Sequence, residues 1–317
     1  MNAPFKNGQK DGEKREVATA KTVPKRDNLL SLYGWIQLII IATLFIALHW
    51  YVLNILWHTG KTDPAWSHIF LIPFISAYLV YRRKEALKKQ PVEKDWKGLV
   101  FFVIGLFLYT GGTQMNSTMI MGYAMVIELF GLVWFFLGTR MLRFLWIPVF
   151  YLGFGVKFSY VYTYMSMILK RVAATIGSVA VNIFGLPWDI EADSLGAVLN
   201  IYHQGALIQP PLNVAEACSG MRSLMAMAAI AVALAFLEWR PWYSRGIIII
   251  AALPLAVASN VLRLAVTGLL YPFNPELAHG DPHSFTGLLA LIPSFLVLIL
   301  IIKICDHVWK TRPFSEV

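Results

Sequence analysis

The chemistry this chain could perform is built around Cys218. It lies in Asn213–Leu224, a stretch that leads from polar sequence into a long apolar run. It therefore falls where a loop or strand becomes the first turn of a helix. A thiol at a helix N-terminus feels the positive end of the backbone dipole, which favours the thiolate. Arg222 follows one turn later on the same face and adds to that bias. Two other reactive residues stand near helix ends far along the chain: Arg263, in Ala258–Arg263, and His283, in Asp281–Gly287. Nucleophilic thiol chemistry needs a thiolate, a proton carrier and a donor for the developing oxyanion. Cysteine, histidine and arginine supply those roles in that order.

Each residue also has a plainer reading. Cys218 is flanked by Glu216, Ser219, Gly220, Arg222 and Ser223, a poor wall for an inert thiol, whereas Cys305 lies in an apolar run and reads as packing. An arginine inside an apolar helix is costly unless it faces a polar cavity, which marks Arg263 as functional. The alternative is a side chain that snorkels to the interface. His283 competes with His279, four residues earlier, and could be only a residue of a helix start. His68 and His203 read as turn or interface residues. With only two cysteines and no Cys/His spacing of the right kind, neither a disulfide framework nor a metal site is expected.

The elements that must position these groups follow from composition. The chain is 57% hydrophobic and 14% charged, with a mean hydropathy of +0.60, which indicates an integral membrane protein. The net charge of +9 does not point to nucleic acid, because the basic residues cluster between apolar segments. At about 20 apolar residues per span, eight spans are expected. They run over Tyr33–Trp57, Ile69–Tyr81, Gly98–Gly112, Thr118–Leu137, Phe144–Phe158, Ser219–Leu237, Gly246–Leu270 and Ser284–Ile304. One alternating series of loops holds 21 of the 27 basic residues, so both termini are expected to be cytoplasmic. Residues 1–28 are charged, which argues against a cleavable signal sequence and for a disordered cytoplasmic tail; 29–304 form the membrane domain and 305–317 a second cytoplasmic tail. Phe158–Phe184 carries Ile168, Val172, Ile176, Val179 and Ile183 on one face and Lys170 and Arg171 on another. It is expected to be an amphipathic helix at the outer interface. Val198–Tyr202 and Ala206–Gln209 should form a small extracytoplasmic β-hairpin. The fold class is an all-α polytopic membrane protein, and its topology carries Cys218, Arg263 and His283 to one face.

Three blocks in this order resemble a known family. Glu216–Ser223 (Glu-Ala-Cys-Ser-Gly-Met-Arg-Ser), Asn260–Arg263 (Asn-Val-Leu-Arg) and His283–Gly287 (His-Ser-Phe-Thr-Gly) look like the signature blocks of the exosortase/archaeosortase family. Ser67, His68 and Pro73 match its upstream span, and the likeness covers roughly residues 33–304. A histidine at 283 resembles the bacterial branch. The resemblance implies a cysteine transpeptidase or protease of the bacterial inner membrane that works without a cofactor on the periplasmic side. Its partners would be membrane lipid and exported proteins whose C-terminal signal has a Pro-Glu-Pro-type motif, a membrane helix and a basic tail. Cys218 would form a thioester, His283 would shuttle the proton, and Arg263 would hold the oxyanion. Glu216, Ser219, Gly220, Arg222 and Asn260 would support them. Two other readings are a membrane acyltransferase using Cys218 and a non-enzymatic polysaccharide export factor.

Overall fold

The computed structural model describes residues 32–213, 220–274, 280–309 and 311–314, with the side chains of 281–288 outside the description. The expected tail over residues 1–28 lies outside the described residues. The described chain is mostly helical. Four helices are long and apolar enough to cross a membrane: Thr118–Gly155, Tyr162–Trp188, Trp242–Leu270 and Leu289–Val308. A bent pair adds a fifth.

The differences from eight regular spans have local causes. The first expected span is two helices, α1 (Leu32–Leu48) and α2 (Trp50–Thr62), bent by 70° at His49. The second reduces to the 11-residue α3 (Ile72–Arg82), because Pro64–Phe70 before it winds into a tight 3₁₀ turn. Asp63 caps that turn by accepting from the Ala65 amide at 3.0 Å, and Pro64 supplies its preset backbone angle. The short α4 (Lys84–Lys88) and then α5 (Lys97–Gln114) follow.

The fourth and fifth expected spans share one continuous element, α6 (Thr118–Tyr151), but the chain doubles back inside it. Gly138 has φ +80° and ψ 171°, and an added Cβ would lie 2.2 Å from the Glu93 carbonyl oxygen, so only glycine serves there. On either side of it, Val126 and Phe130 pack with Leu142 and Val149, and Gly122 meets Val156. Thus 118–137 and 139–151 form an antiparallel helical hairpin.

The α7 helix (Ser159–Gly185) covers the segment expected as an interfacial helix. It is long and apolar enough to span. Ile168, Val172, Ile176, Val179 and Ile183 are its exposed face, while Ala173, Ala174, Gly177, Ser178 and Val181 are buried. Small residues allow two helices to approach closely, and large apolar ones can face lipid. Gly177 abuts Leu264 and Val181 abuts Gly268, so both partners advance by four residues and the two helices run parallel.

A four-stranded antiparallel sheet caps this pair. Strands β1 (Ile190–Leu195) and β2 (Val198–His203) pair from Ile190↔His203 to Leu195↔Val198. β3 (Ala206–Leu207) pairs with β2 through Tyr202↔Leu207, and β4 (Leu212–Asn213) through Leu199↔Leu212. Ile190, Ala192, Leu199, Ile201 and Leu212 are buried against Ala173, Ala174, Val181, Leu264 and Tyr271. The Asn182 amide bonds both the N–H and the C=O of Ala192, tying the sheet to α7.

Three further helices complete the bundle: α8 (Met221–Ala235), α9 (Trp242–Leu270) and α10 (Gly280–Val308). Met227, Ala231 and Ala235 of α8 pack against Ala256, Ala252 and Ile248 of α9, and Leu298 and Cys305 of α10 join them. Cys305 is buried among apolar side chains. At one end, here the basic end, Arg240 forms a two-pronged ion pair with Asp306 at 2.6 and 2.8 Å. The chain near the C-terminus docks there through Trp239↔Arg312 and buried Phe314. The sheet lies at the opposite end.

Candidate active site

At the sheet end, one face of α9 buries four polar residues in succession: Ser259, Asn260, Arg263 and Thr267. The Ser259 hydroxyl donates to the Ala290 carbonyl at 2.9 Å and sets the pairing with α10. Arg263 is 8% exposed. Its Nη2 donates to Asn260 Oδ1 at 2.7 Å, one turn back toward the basic end. That direction is opposite to snorkelling toward the sheet end. Among the described residues no carboxylate pairs with Arg263. Among the described residues the buried guanidinium is held by a neutral amide and meets no carboxylate, an arrangement suited to an anion or oxyanion. The Thr267 hydroxyl, one turn further on, is also buried without a partner.

Gly220 brings the cysteine block to this arginine. It precedes α8 with φ +60°, and a Cβ there would lie 3.0 Å from Asn260 Nδ2 and 3.7 Å from Leu169 Cβ. One amide thus links the two blocks: Oδ1 of Asn260 accepts from Arg263, while its Nδ2 borders Gly220. Arg222, in the first turn of α8, is exposed and has no ion pair among the described residues, while its neighbours Met221 and Ser223 are buried. Glu216, Cys218, Ser219 and His279 lie outside the described residues. His283 stands in the first turn of α10, with its side chain outside the description. The Ser259–Ala290 bond fixes the antiparallel register. At 1.5 Å per residue, the backbone at 283 stands about 4–5 Å along the axis from the level of Arg263.

The 3₁₀ turn Pro64–Phe70 lies against the start of α8. Trp66 is fully buried and packs with Met221 and Met225, its ring centroid 5.5 Å from Phe158 and 5.6 Å from Tyr162. Among the described residues its indole nitrogen has no acceptor, and the neighbouring His68 Nε2 is buried without a partner as well. Burial pulls the His68 ring below the ordinary histidine value, against the opposing effect of hydrogen bonds to the backbone of Phe154 and Ala65. A ring that donates to a carbonyl through Nδ1 presents a lone pair at Nε2. Sequence reading took His68 for a turn residue; the structure puts it beneath the cysteine block with an unused nitrogen. The Lys157–Asp63 ion pair, 3.0 Å, braces the same turn against the chain leading into α7.

A second polar pair that sequence reading passed over lies apart from this cluster. His49, at the α1–α2 bend, meets Glu128 of α6 at 3.3 Å with both side chains fully buried. His49 Nδ1 bonds the Phe45 carbonyl at 2.9 Å, which turns Nε2 toward the carboxyl. Gly105 makes room, since a Cβ there would lie 2.4 Å from Glu128 Cγ. Among the described residues no three His, Cys, Asp or Glu side chains converge as a metal site.

The model of the transmembrane exosortase family matches residues 57–300, from α2 to α10. The chain belongs to the transmembrane exosortase family. No curated protein and no solved structure matches it. The match runs across all three motif blocks and the Trp66–His68 turn. This exosortase-family chain is therefore a multi-pass membrane protein, and the family suggests a part in processing the C-terminal sorting signals of exported proteins.

Proposed function

We propose that the chain is a membrane-embedded cysteine transpeptidase or protease, with Cys218, Arg263 and His283 as its reactive groups. The observation that carries this reading is the buried Arg263, which has no ion pair among the described residues and is tethered through Asn260 to the residue two positions after Cys218. Chain connectivity keeps the two Cα atoms, 218 and 220, within about 7 Å. The thiolate of Cys218 attacks the carbonyl carbon beside the sorting motif, and the resulting oxyanion is neutralised by Arg263, with Arg222 in reserve. His283 takes the thiol proton and returns it to the departing amine, leaving a thioester on Cys218. An amine then resolves the thioester into a new amide, or water resolves it into a free acid. Glu216 and Ser219 flank the nucleophile.

The distribution of basic residues supports an orientation in the bacterial inner membrane. The basic end and both termini face the cytoplasm, and the sheet end with the reactive groups faces the periplasm. The partners are exported proteins with a Pro-Glu-Pro-type motif, one membrane helix and a basic tail. An apolar groove of about 1120 Å³ runs between α7 and α9 past Leu253, Val257 and Leu262, and suits the apolar helix of such a signal. The same groove favours the acyltransferase as second reading, since it could equally take a lipid chain.

The test uses a reporter bearing motif, apolar helix and basic tail. Cys218→Ala and His283→Ala abolish processing, while His279→Ala stays active. Processing by Cys218→Ala at the normal rate ends the proposal. A thioester carrying a fatty acyl group in place of peptide selects the acyltransferase.

A further inference from the structure

Far from the sulfur chemistry, a second cavity opens at the basic end, with a volume of about 550 Å³. Three arginines line it, Arg83, Arg143 and Arg245, and among the described residues no carboxylate does. Arg83 is 2% exposed and its guanidinium is spent partly on backbone, donating to the Leu79 and Phe236 carbonyls at 2.6 Å each. It also stacks on Phe314 at 4.5 Å. Burial, followed by the positive charge of Arg245, pushes Arg83 down to about 10, so it remains cationic at neutral pH. Arg245 lies over the Phe236 and Trp239 rings at 4.7 and 5.3 Å, and its Nε is buried without an acceptor.

Among the described residues the neighbouring acids are largely engaged with other groups. Glu238 pairs with Arg82 through one oxygen and offsets Arg83 only in part; Asp306 is held by Arg240; Asp95 takes the Thr139 hydroxyl at 2.6 Å and the Trp134 indole at 3.2 Å. The cavity is therefore a cationic cup short of negative charge. Its walls are also graded. The arginines cluster toward the Gly138 reversal and the end of α3, while Phe130 and Phe150 continue the lining up the two limbs of α6, away from that end. Phe150 and Trp146 are exposed on the side of the bundle.

We propose that this cavity binds an anionic phospholipid, its phosphodiester headgroup among Arg83, Arg143 and Arg245 and an acyl chain along Phe130 and Phe150. A basic pocket between helices at the membrane surface recognises anionic headgroups by charge and fork-shaped hydrogen bonds. The aromatic extension is what a free phosphate would not use. The cup repels a basic peptide tail, so it is separate from whatever receives the end of a substrate.

The experiment is thermal unfolding of the purified full chain in a neutral detergent. It is run with added phosphatidylglycerol, with phosphatidylcholine, and with inorganic phosphate. Phosphatidylglycerol is expected to raise the midpoint by several degrees over phosphatidylcholine, and phosphate to leave it unmoved. The double variant R143Q/R245Q loses the preference for phosphatidylglycerol while keeping its midpoint in phosphatidylcholine. It is preferred to Arg83→Gln, which would strip two backbone carbonyls and endanger folding. Equal effects of the two lipids overturn the proposal, as does an undiminished preference in the double variant. Stabilisation by phosphate matching that by phosphatidylglycerol overturns the lipid assignment in favour of a free-anion site.

Discussion

Replacing Gly220 with alanine perturbs the one contact that joins the cysteine block to the arginine. The native backbone there has φ +60°, where a side chain costs about 1–2 kcal/mol. The new Cβ would lie 3.0 Å from Asn260 Nδ2, tighter than an ordinary contact, so the amide must move. Movement of the amide weakens the 2.7 Å bond by which Asn260 holds Arg263. A hydrogen bond to a charged group is worth about 1.5–3 kcal/mol. If both losses fall on the transition state, about 2.5–5 kcal/mol corresponds to a slowing on the order of 10²–10⁴-fold. The assay is reporter processing in membrane vesicles, with thermal unfolding as control. A double-mutant cycle isolates the contact. In an Asn260→Ala background the same change has no amide to displace and costs only the backbone strain, about 1–2 kcal/mol. Processing by Gly220→Ala within about threefold of the parent would refute the reasoning, because a transition state that used this contact could not lose it so cheaply.

Other consequences follow from the same geometry. Arg263→Lys keeps the charge but loses the planar fork that serves Asn260 and an oxyanion together, so processing should fall severely while the protein still folds. Normal processing by that variant would retire the oxyanion role. Glu128→Leu leaves His49 buried without its partner, and should cost about 3–5 kcal/mol of stability. The double replacement His49→Leu/Glu128→Leu should recover much of it, as read by unfolding midpoints. His68 is held below the ordinary histidine value, so as pH falls through about 6.5 the unfolded chain takes up a proton that the buried ring refuses. Stability should therefore decline on acidification, and His68→Gln should flatten that part of the pH profile. An unchanged profile would mean that the ring is not held neutral.

The three motif blocks and the apolar runs were legible because residue type alone marks them. The register between blocks was not: no pattern in the sequence says that Gly220 lies on Asn260, since that contact depends on α8 and α9 packing through Met227, Ala231, Ala252 and Ala256. Span counting missed the 70° bend at His49 and the Pro64–Phe70 turn, which takes residues that would otherwise lengthen α3. The break between the fourth and fifth expected spans falls at Gly138, where two limbs fold into a hairpin. In α7 the apolar stripe was legible, whereas the face that packs against the bundle was not. Its small residues make the contact with α9, and its isoleucines are exposed. His49, Glu128 and Trp66 escaped notice because each is a single polar or aromatic residue in apolar sequence, and only its partners give it meaning.

The central claim is that a sulfur nucleophile at 218 works with the cation at 263 on a peptide carbonyl. Mass spectrometry of the protein incubated with the sorting-signal reporter, in the absence of added amine, tests it most directly. The account predicts a hydroxylamine-labile peptide adduct on Cys218 that is absent from Cys218→Ala and strongly reduced in Arg263→Ala. A reporter cleaved at the normal rate with no adduct on Cys218, or by the Cys218→Ala protein, would contradict it.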